Sequence, residues 1–313
     1  MAKTYLGMDC GTQFIKGVII DDKKNILAQA ISPQGHSIAE ACKGVLAQLS
    51  TQADAQVAAA GTTGANKPML SALFEPVTQA NDAPAQAAGA TALYPDVKTV
   101  IVLGSKFAHL IHINDGKLGD YELGCMFDTS TGRFLEQKAG EMGISVSNYA
   151  QTALTSTKPA LLPARGAAPT PDDFHRMGYT DADILMGYCK AIANRYVKNV
   201  TKKQTLEEPI VLQGGLAQNE AVAEAMQTKL KTALTIPANP EYTGALGAAV
   251  LAMESGKENP VNLSDAAASS ITSRDVICAN CTNMCTVTGA FDGDTRLFHW
   301  GNKCDRIDPL SIF

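Results

Sequence analysis

The residues with the clearest capacity for chemistry crowd near the end of the chain: Cys278, Cys281, Cys285 and Cys304. The intervals between them hold two, three and eighteen residues, which suits four thiolates around one zinc ion or one iron–sulfur cluster. The spacing predicts a metal site without choosing between these metals. In a tail with little core of its own, four thiolates could fold the segment when they bind a metal. Four free thiols in an unstructured tail are the alternative.

Two short turns built from small residues could hold phosphate groups. The first, Gly11-Thr12, joins two strand-like runs within residues 5–22, and the pattern returns 93 positions later at Gly104-Ser105. Such a turn lets phosphate oxygens approach backbone N–H groups. One turn alone is more typical of an ordinary β-hairpin, but its repetition favours a nucleotide site.

A third glycine turn lies in the second half of the chain. Residues 210–212 read as a buried strand, Gly214 and Gly215 as a tight turn, and residues 217–230 as a helix. A helix N-terminus after such a turn can cradle a phosphate or nucleoside, although an ordinary strand-to-helix loop is the alternative. The glycines and alanines of residues 242–252 would let a further helix approach a sheet or ligand closely.

The elements that must position these residues form two similar halves. Two hairpins, each opening a section of roughly a hundred residues or more, indicate two α/β domains with a ligand cleft between them. We predict a first domain over residues 1–96 that includes a return helix at 243–256, a second over 97–242, and a cysteine-rich metal-binding tail over 263–313.

The order of these motifs resembles the actin, sugar-kinase and heat-shock-chaperone ATPase superfamily. Within it, residues 131–136, 214–219 and 236–249 resemble the BadF/BadG/BcrA/BcrD-type ATPases, the activators of 2-hydroxyacyl-CoA dehydratases and benzoyl-CoA reductases. The resemblance extends over roughly residues 4–255. It implies an α/β fold with two actin-like (ribonuclease H-like) domains around a nucleotide cleft.

The resemblance also implies ATP or ADP with Mg²⁺, a homodimer, and a [4Fe–4S] cluster held across the dimer axis by two cysteines per subunit. ATP hydrolysis in such proteins drives a conformational change that passes a low-potential electron to a partner enzyme. By position, Asp9 would hold Mg²⁺ through water. The phosphates would meet Gly11, Thr12 and Lys16, with Gly104 and Ser105 from the second turn. The nucleoside would lie beside Gly214, Gly215 and Asn219.

The chain departs from the family pattern at the second turn and at the cluster cysteines. Val102 stands where the family has an acid, and the internal repeat aligns Val102 with Asp9. An apolar side chain cannot position a metal or a water molecule, so hydrolysis is in question, with Asp128 as a candidate replacement. Phe127 occupies the slot of one cluster cysteine, with Cys125 two residues earlier, and residues 161–171 contain no second one. We therefore expect no dimer-bridging cluster.

The tail resembles the cysteine-rich segment that follows the activator domain in long fused members of the family. The pattern there is C-x2-C-x-N-x-C followed by G-G-x-C, and Asn283 and Gly301 fit it. This likeness favours an iron–sulfur cluster over zinc and leaves His299 as a substitute ligand.

Composition narrows the classes of function. The chain has 313 residues, 45% of them hydrophobic, which is ample for folded cores. With 26 basic and 31 acidic residues the net charge is −5, so we expect neither nucleic acid nor a membrane surface as a partner. No apolar run reaches the roughly 18 to 20 residues of a membrane-spanning helix. The first residues lack a secretion-signal pattern, so we expect a cytoplasmic protein.

Two functions follow from these observations. The first is a nucleotide-binding iron–sulfur protein that passes low-potential electrons to a dehydratase- or reductase-type partner, and that is an ATPase if the cleft is active. The alternative is a catalytically degenerate structural or regulatory subunit with a tail stapled by zinc or by a cluster. A small-molecule kinase ranks last, because it needs an acid to deprotonate a hydroxyl and the second hairpin offers none.

Overall fold

The computed structural model describes residues 3–105, 107–125 (at Cys125 the backbone only), 132–163, 169–202 and 204–304. The chain divides into two compact units: unit one is Met1–Gly89 with Gly244–Phe313, and unit two is Ala90–Thr243. Among the described residues no helix has the length and apolar character needed to cross a membrane.

Unit one opens with a mixed sheet and its covering helices. In chain order the elements are β1 (Thr4–Cys10), β2 (Phe14–Asp21), β3 (Ile26–Pro33), α1 (Ile38–Gln52), β4 (Gln56–Val57), β5 (Ala59–Thr63), α2 (Pro68–Leu73), β6 (Thr78–Gln79) and α3 (Asp82–Leu93). The strand order is β3-β2-β1-β5-β6, with β1 to β3 antiparallel and β5 parallel to β1. The predicted first hairpin is thus present, with the Gly11-Thr12 turn between β1 and β2.

Helix α1 covers the antiparallel side of this sheet. It begins after Ser37, whose side chain accepts a hydrogen bond from the N–H of Glu40 and so satisfies one of the free donors of the first turn. Its apolar stripe, which includes Cys42, Val45 and Leu49, is buried in the core of unit one. Burial of this stripe is what holds α1 on β2 and β3.

Unit two repeats the plan. Its elements are β7 (Thr99–Leu103), β8 (Phe107–Asn114), β9 (Lys117–Cys125), α4 (Gly132–Glu141), α5 (Val146–Leu154), α6 (Pro171–Arg176), α7 (Asp181–Tyr196), β10 (Ile210–Gln213) and α8 (Glu220–Leu230). The strand order is β10-β7-β8-β9, in which β10 runs parallel to β7 and the second predicted hairpin forms β7 and β8.

Helices α7 and α8 of unit two begin at capping residues. Thr180 and Asp183 form a capping box at the start of α7. Helix α8 begins at Glu220 rather than at Ala217, because residues 215–218 form a 3₁₀ turn and Asn219 caps the helix. The Oδ1 of Asn219 accepts hydrogen bonds from the N–H groups of Ala221 and Val222, so the helix starts directly after Asn219.

The chain then returns to unit one. The returning elements are α9 (Thr243–Glu254), β11 (Val261–Asn262), α10 (Leu263–Ala267), β12 (Ile271–Ile277), β13 (Thr286–Asp292) and β14 (Thr295–Trp300). Strand β11 pairs with β4, and β12 to β14 form an antiparallel sheet, here called the tail sheet.

Apolar side chains of the tail sheet pack into the core of unit one. Ile271 and Ala290 belong to the core of unit one, and Phe298 and Trp300 pack against it. Ser273 accepts a hydrogen bond of 3.1 Å from the N–H of Ala39 in α1. Through these contacts the tail sheet packs against the rest of unit one.

Helix α9 approaches the sheet of unit one so closely that the contact requires glycine. A Cβ on Gly7 of β1 would lie 1.9 Å from the carbonyl oxygen of Ala245, and one on Gly61 of β5 would lie 2.1 Å from that of Ala248. The close approach expected of a glycine- and alanine-rich helix is thus observed. It fixes the distance between α9 and the two parallel strands.

The same packing predicts the effect of adding one methyl group to α9. A Cβ at Gly247 would lie 1.7 Å from the carbonyl oxygen of Ala85 in α3, so Gly247→Ala should destabilise unit one by about 2 to 3 kcal/mol. The matched control is Gly44→Ala in α1, where a Cβ meets nothing within 4 Å and helix propensity favours alanine by about 0.5 to 1 kcal/mol. Urea unfolding followed by the fluorescence of Trp300 measures both. Equal midpoints for the two variants would contradict the packing.

Candidate functional site

The turn between β1 and β2 presents an acid and a base at one edge of the sheet. Asp9 and Lys16 are directly opposite each other in the β1–β2 ladder, and Lys16 Nζ lies 3.1 Å from Asp9 Oδ2. Their side chains are only 12% and 15% exposed. Because both charged groups are largely buried, each requires the other as its counterion. Together they offer a carboxylate for a cation and an ammonium for a phosphate.

The backbone around this pair is closely fitted. A Cβ at Gly11 would lie 2.9 Å from the carbonyl oxygen of Phe14, and Thr12 is half-buried beside it. Gly64, which follows β5, has φ +92°, and a Cβ there would lie 2.6 Å from Asp9 Oδ1. Glycine at both positions keeps the Asp9 carboxylate and the turn open to a ligand.

Sequence reasoning missed the residues that β5 and α3 bring to this edge. Thr63 is the partner of Asp9 in the parallel β1–β5 ladder, and its hydroxyl lies 3.5 Å from a carboxylate oxygen of Asp82. A Cβ on Gly244 of α9 would lie 2.8 Å from Gln86 Nε2 and 3.4 Å from Asp9 Oδ2. The signal that could have found them is Thr62-Thr63-Gly64, another small-residue turn after a buried run.

The turn of unit two has the same backbone with different side chains. Gly104 donates a 3.0 Å hydrogen bond to the carbonyl of Phe107, and Ser105 follows it. Val102 and His109 are partners in the β7–β8 ladder, the positions that Asp9 and Lys16 occupy in unit one. Both are buried, at 3% and 5% exposure. Unit two therefore has a buried apolar side chain at the position that Asp9 occupies in unit one.

The candidate replacement for the missing acid, Asp128, lies outside the described residues, as does Phe127. Of Cys125, which ends β9, only the backbone is described.

The glycine turn after β10 lies against the end of β7. Gly214 has φ +95°, donates a 2.9 Å hydrogen bond to the carbonyl of Pro240, and would place a Cβ 2.5 Å from the carbonyl oxygen of Leu103. A Cβ at Gly215 would meet nothing within 4 Å. The fold thus brings the predicted residues Gly104 and Gly214 together, whereas Asn219 commits its Oδ1 to capping α8.

The four tail cysteines gather at one end of the tail sheet. Cys278 follows β12 and Cys285 precedes β13, and the N–H of Cys278 donates a 2.8 Å hydrogen bond to the carbonyl of Cys285. These two thiols are buried beside Val287, while Cys281 is exposed in the connection between them. Strands β12 and β14 both end, and β13 begins, at this end of the sheet.

Cys304 follows β14 at that same end. Gly301, with φ +96°, would place a Cβ 2.4 Å from the carbonyl oxygen of Thr286, so the chain after β14 passes beside the start of β13. Asn302 then donates a 3.0 Å hydrogen bond to the carbonyl of Cys304. Among the described residues no three His, Cys, Asp or Glu side chains are arranged as metal ligands, and His299 pairs with Gly289 inside the sheet.

Three cysteines outside the tail pack as small apolar residues. Cys10, Cys42 and Cys189 are fully buried. Burial raises the pKa of Cys189 to about 12, and burial together with the Cys42 thiol raises the pKa of Cys10 well above its usual range. The raised pKa values keep the thiols of Cys10 and Cys189 protonated at neutral pH, so these two are neither nucleophiles nor ready metal ligands.

Known proteins share this architecture. A family model described as the BadF/BadG/BcrA/BcrD ATPase family matches residues 6–252. The (R)-2-hydroxyglutaryl-CoA dehydratase activating ATPase of Acidaminococcus fermentans is 25% identical over 252 residues, or 79% of this chain and 96% of that protein. The 2-hydroxyisocaproyl-CoA dehydratase activator of Clostridioides difficile is 25% identical over 261 residues, or 81% and 96%.

Solved structures give the same result for the fold. The crystal structure of the Acidaminococcus fermentans (R)-2-hydroxyglutaryl-CoA dehydratase component A has a TM-score of 0.71 at 25% identity and covers 81% of this chain and 99% of that chain. The predicted α/β, actin-like fold is therefore confirmed. The tail sheet lies after the last matched residue of the family model.

The buried ion pair of unit one yields a stability prediction. Lys16→Met leaves the Asp9 carboxylate largely buried without its cation, so unit one should lose about 2 to 3 kcal/mol of unfolding free energy. The matched control is Lys24→Met: Lys24 pairs with Glu254 at 2.8 Å, but both side chains are more than a third exposed, so the loss should stay below about 1 kcal/mol. Urea unfolding monitored by Trp300 compares the two. Similar losses of unfolding free energy would show that the Asp9–Lys16 pair stabilises unit one no more than an exposed ion pair does.

Proposed function

Because this chain belongs to the BadF/BadG/BcrA/BcrD ATPase family, we propose that it is a nucleotide-binding activator that acts on a dehydratase- or reductase-type enzyme. Its relatives are named as activators of acyl-CoA dehydratases. The observation that carries the proposal is the turn of unit one, where Asp9, Lys16 and Gly11 meet at one edge of the sheet. We place the protein in the cytoplasm, as a homodimer or as a subunit of a complex with its partner.

In this proposal the ligand is ATP or ADP with Mg²⁺. Asp9 holds the hydrated Mg²⁺, and Lys16, which neutralises Asp9 at 3.1 Å, turns to the phosphates. The charge of Mg²⁺ replaces the positive charge that Lys16 withdraws from Asp9, so the buried carboxylate of Asp9 keeps a counterion. Backbone N–H groups at Gly11 and Thr12 supply further donors to the phosphates.

Within unit two we propose a second set of residues for contact with nucleotide. Gly104 and Ser105 belong to the second phosphate turn. Gly214 and Gly215 offer a surface without side chains on which a nucleoside can lie, and Asn219 retains its Nδ2 group as a donor after capping α8.

The tail is proposed to hold a [4Fe–4S] cluster, with zinc as the other candidate. Four thiolates suit either group by their chemistry. The connection that carries Cys278, Cys281 and Cys285 lies at the same end of the tail sheet as the segment that carries Cys304. Thiolates are the ligands that both metals prefer. A cluster would supply one-electron redox chemistry, and the chain's own contribution is to hold Cys278 and Cys285 beside Val287, away from bulk water.

A second function rests on Val102. Its apolar side chain occupies the place of the second acid, opposite His109, and cannot orient an attacking water. A chain that binds nucleotide without hydrolysing it would be a regulatory or structural subunit, with its tail stapled by a metal. Phosphate release from Mg-ATP by the purified full chain separates this function from that of an ATPase-coupled electron carrier.

Substitution at Asp9 tests the nucleotide site. Asp9→Asn removes the negative charge but keeps the shape, so affinity for Mg-ADP should fall at least about tenfold, with little change in affinity for ADP without Mg²⁺. The control is Asp22→Asn, an exposed residue just after β2 in the same hairpin. Isothermal titration calorimetry measures both. Equal affinity of Asp9→Asn and the parent protein for Mg-ADP would contradict the assignment.

Analysis of metal and sulfide tests the tail. Protein prepared without oxygen should contain iron and sulfide at about four each per chain, as a [4Fe–4S] cluster requires. Cys285→Ser should lose most of that iron, whereas Cys42→Ala, which removes a thiol buried under α1, should keep it. One zinc per chain without sulfide would support the stapled regulatory subunit instead. Neither metal would overturn the assignment of the four cysteines.

A further inference from the structure

One side chain joins the phosphate turn of unit one to the tail sheet. Asn66 lies between β5 and α2 and makes three hydrogen bonds to these two parts of unit one. Its backbone N–H donates to the carbonyl of Cys10 at 2.9 Å, and its Nδ2 donates to the carbonyl of Gly11 at 3.1 Å. Its Oδ1 accepts from the indole Nε1 of Trp300 at 3.1 Å.

The first two bonds fix the direction of the turn. A peptide unit is planar and trans, so its N–H points opposite to its carbonyl. Because Asn66 holds the carbonyls of Cys10 and Gly11 on its own side, the N–H groups of Gly11 and Thr12 are aimed to the other side. Asn66 therefore sets the orientation of the donors that a phosphate group would meet at this turn.

The third bond fixes Asn66 itself. An indole N–H can only donate, and a backbone carbonyl can only accept, so just one orientation of the Asn66 amide satisfies both neighbours. Rotating the amide by half a turn would place its NH₂ against the Trp300 N–H and its oxygen against the Gly11 carbonyl. Trp300 thus selects the amide orientation that holds the turn.

Trp300 in turn connects Asn66 to the tail sheet. It is the last residue of β14, pairs with Thr288 of β13, and packs with Phe298 against the core of unit one. The ring centroids of Phe298 and Trp300 are 5.9 Å apart. The chain then turns at Gly301 toward Cys304, so the same end of β14 leads to both Asn66 and the cysteines.

We propose that Asn66 and Trp300 are positioning residues for the Gly11-Thr12 turn, and that through them the tail sheet and the nucleotide site regulate each other. This inference rests on the proposed binding of nucleotide at that turn. Binding shifts the Gly11 carbonyl, Asn66 follows it, and the indole of Trp300 changes its hydrogen bond. By thermodynamic reciprocity, a change in the tail sheet alters nucleotide affinity to the same degree.

The chain provides its own probe for this coupling, because Trp300 is its only tryptophan. Titration of the full chain with Mg-ADP, with the indole excited selectively, should give a saturable change in Trp300 emission. The midpoint of that change should match the dissociation constant measured by calorimetry on the same preparation.

Asn66→Asp isolates the bond to the turn. The carboxylate still accepts from Trp300 but has no donor for the Gly11 carbonyl, so affinity for Mg-ADP should fall about tenfold and the emission change at saturation should be lost. The control is Asn259→Asp. Asn259 likewise donates from its Nδ2 to a backbone carbonyl, that of Glu75 at 2.9 Å, and this variant should keep both affinity and emission change.

Trp300→Phe supplies an independent test in which packing is retained. It keeps an aromatic ring beside Phe298 and removes only the indole donor, so calorimetry should show weaker Mg-ADP binding by about threefold to tenfold. Circular dichroism checks that each variant is folded.

The outcomes separate the two proposals. If calorimetry shows Mg-ADP binding but Trp300 emission stays constant, or if Trp300→Phe binds as tightly as the parent protein, the coupling is wrong and the nucleotide site stands. If the parent protein binds no Mg-ADP at all, the proposed function and the coupling both fail.

Discussion

The parallel pairing of β1 with β5 is the constraint on which the candidate nucleotide site depends. Because Asp9 and Thr63 are in register, the segments that follow the two strands leave the sheet at one edge and meet there. Gly64 and Asn66 then both lie beside the backbone of Cys10 and Gly11. Helix α9 preserves this register, since its backbone rests on glycines of both strands and leaves no space for sliding.

Local sequence signals were enough for the hairpins and the glycine turns, because each is decided by residues close together in the chain. They were not enough for Thr63, Asn66 and Asp82. These residues reach the site only because β5 pairs with β1, whose residues lie some fifty to seventy positions away in the chain. A sequence pattern of period two cannot reveal that pairing. The start of α8 was placed too early because Leu216 and Ala217 look helical, although Asn219 caps the helix after them.

The two hairpins show how one backbone can serve different chemistry. Asp9 and Lys16 in unit one correspond to Val102 and His109 in unit two, with the same cross-strand pairing. Val102 and His109 are both buried in unit two, so the fold accepts an apolar residue at the position of Asp9. The hairpin and its glycine turn therefore form without an acid at Val102.

In the tail sheet, the packing that forms the fold is likewise distinct from the cysteines that could carry out chemistry. In small zinc domains the metal supplies the folding free energy, because there is almost no apolar core. Here Ile271, Ala290 and Phe298 bury one face of the sheet in unit one, and the cysteines project from its end. The end of the sheet from which the cysteines project is therefore positioned by apolar packing in unit one. The same sheet holds Trp300 against Asn66.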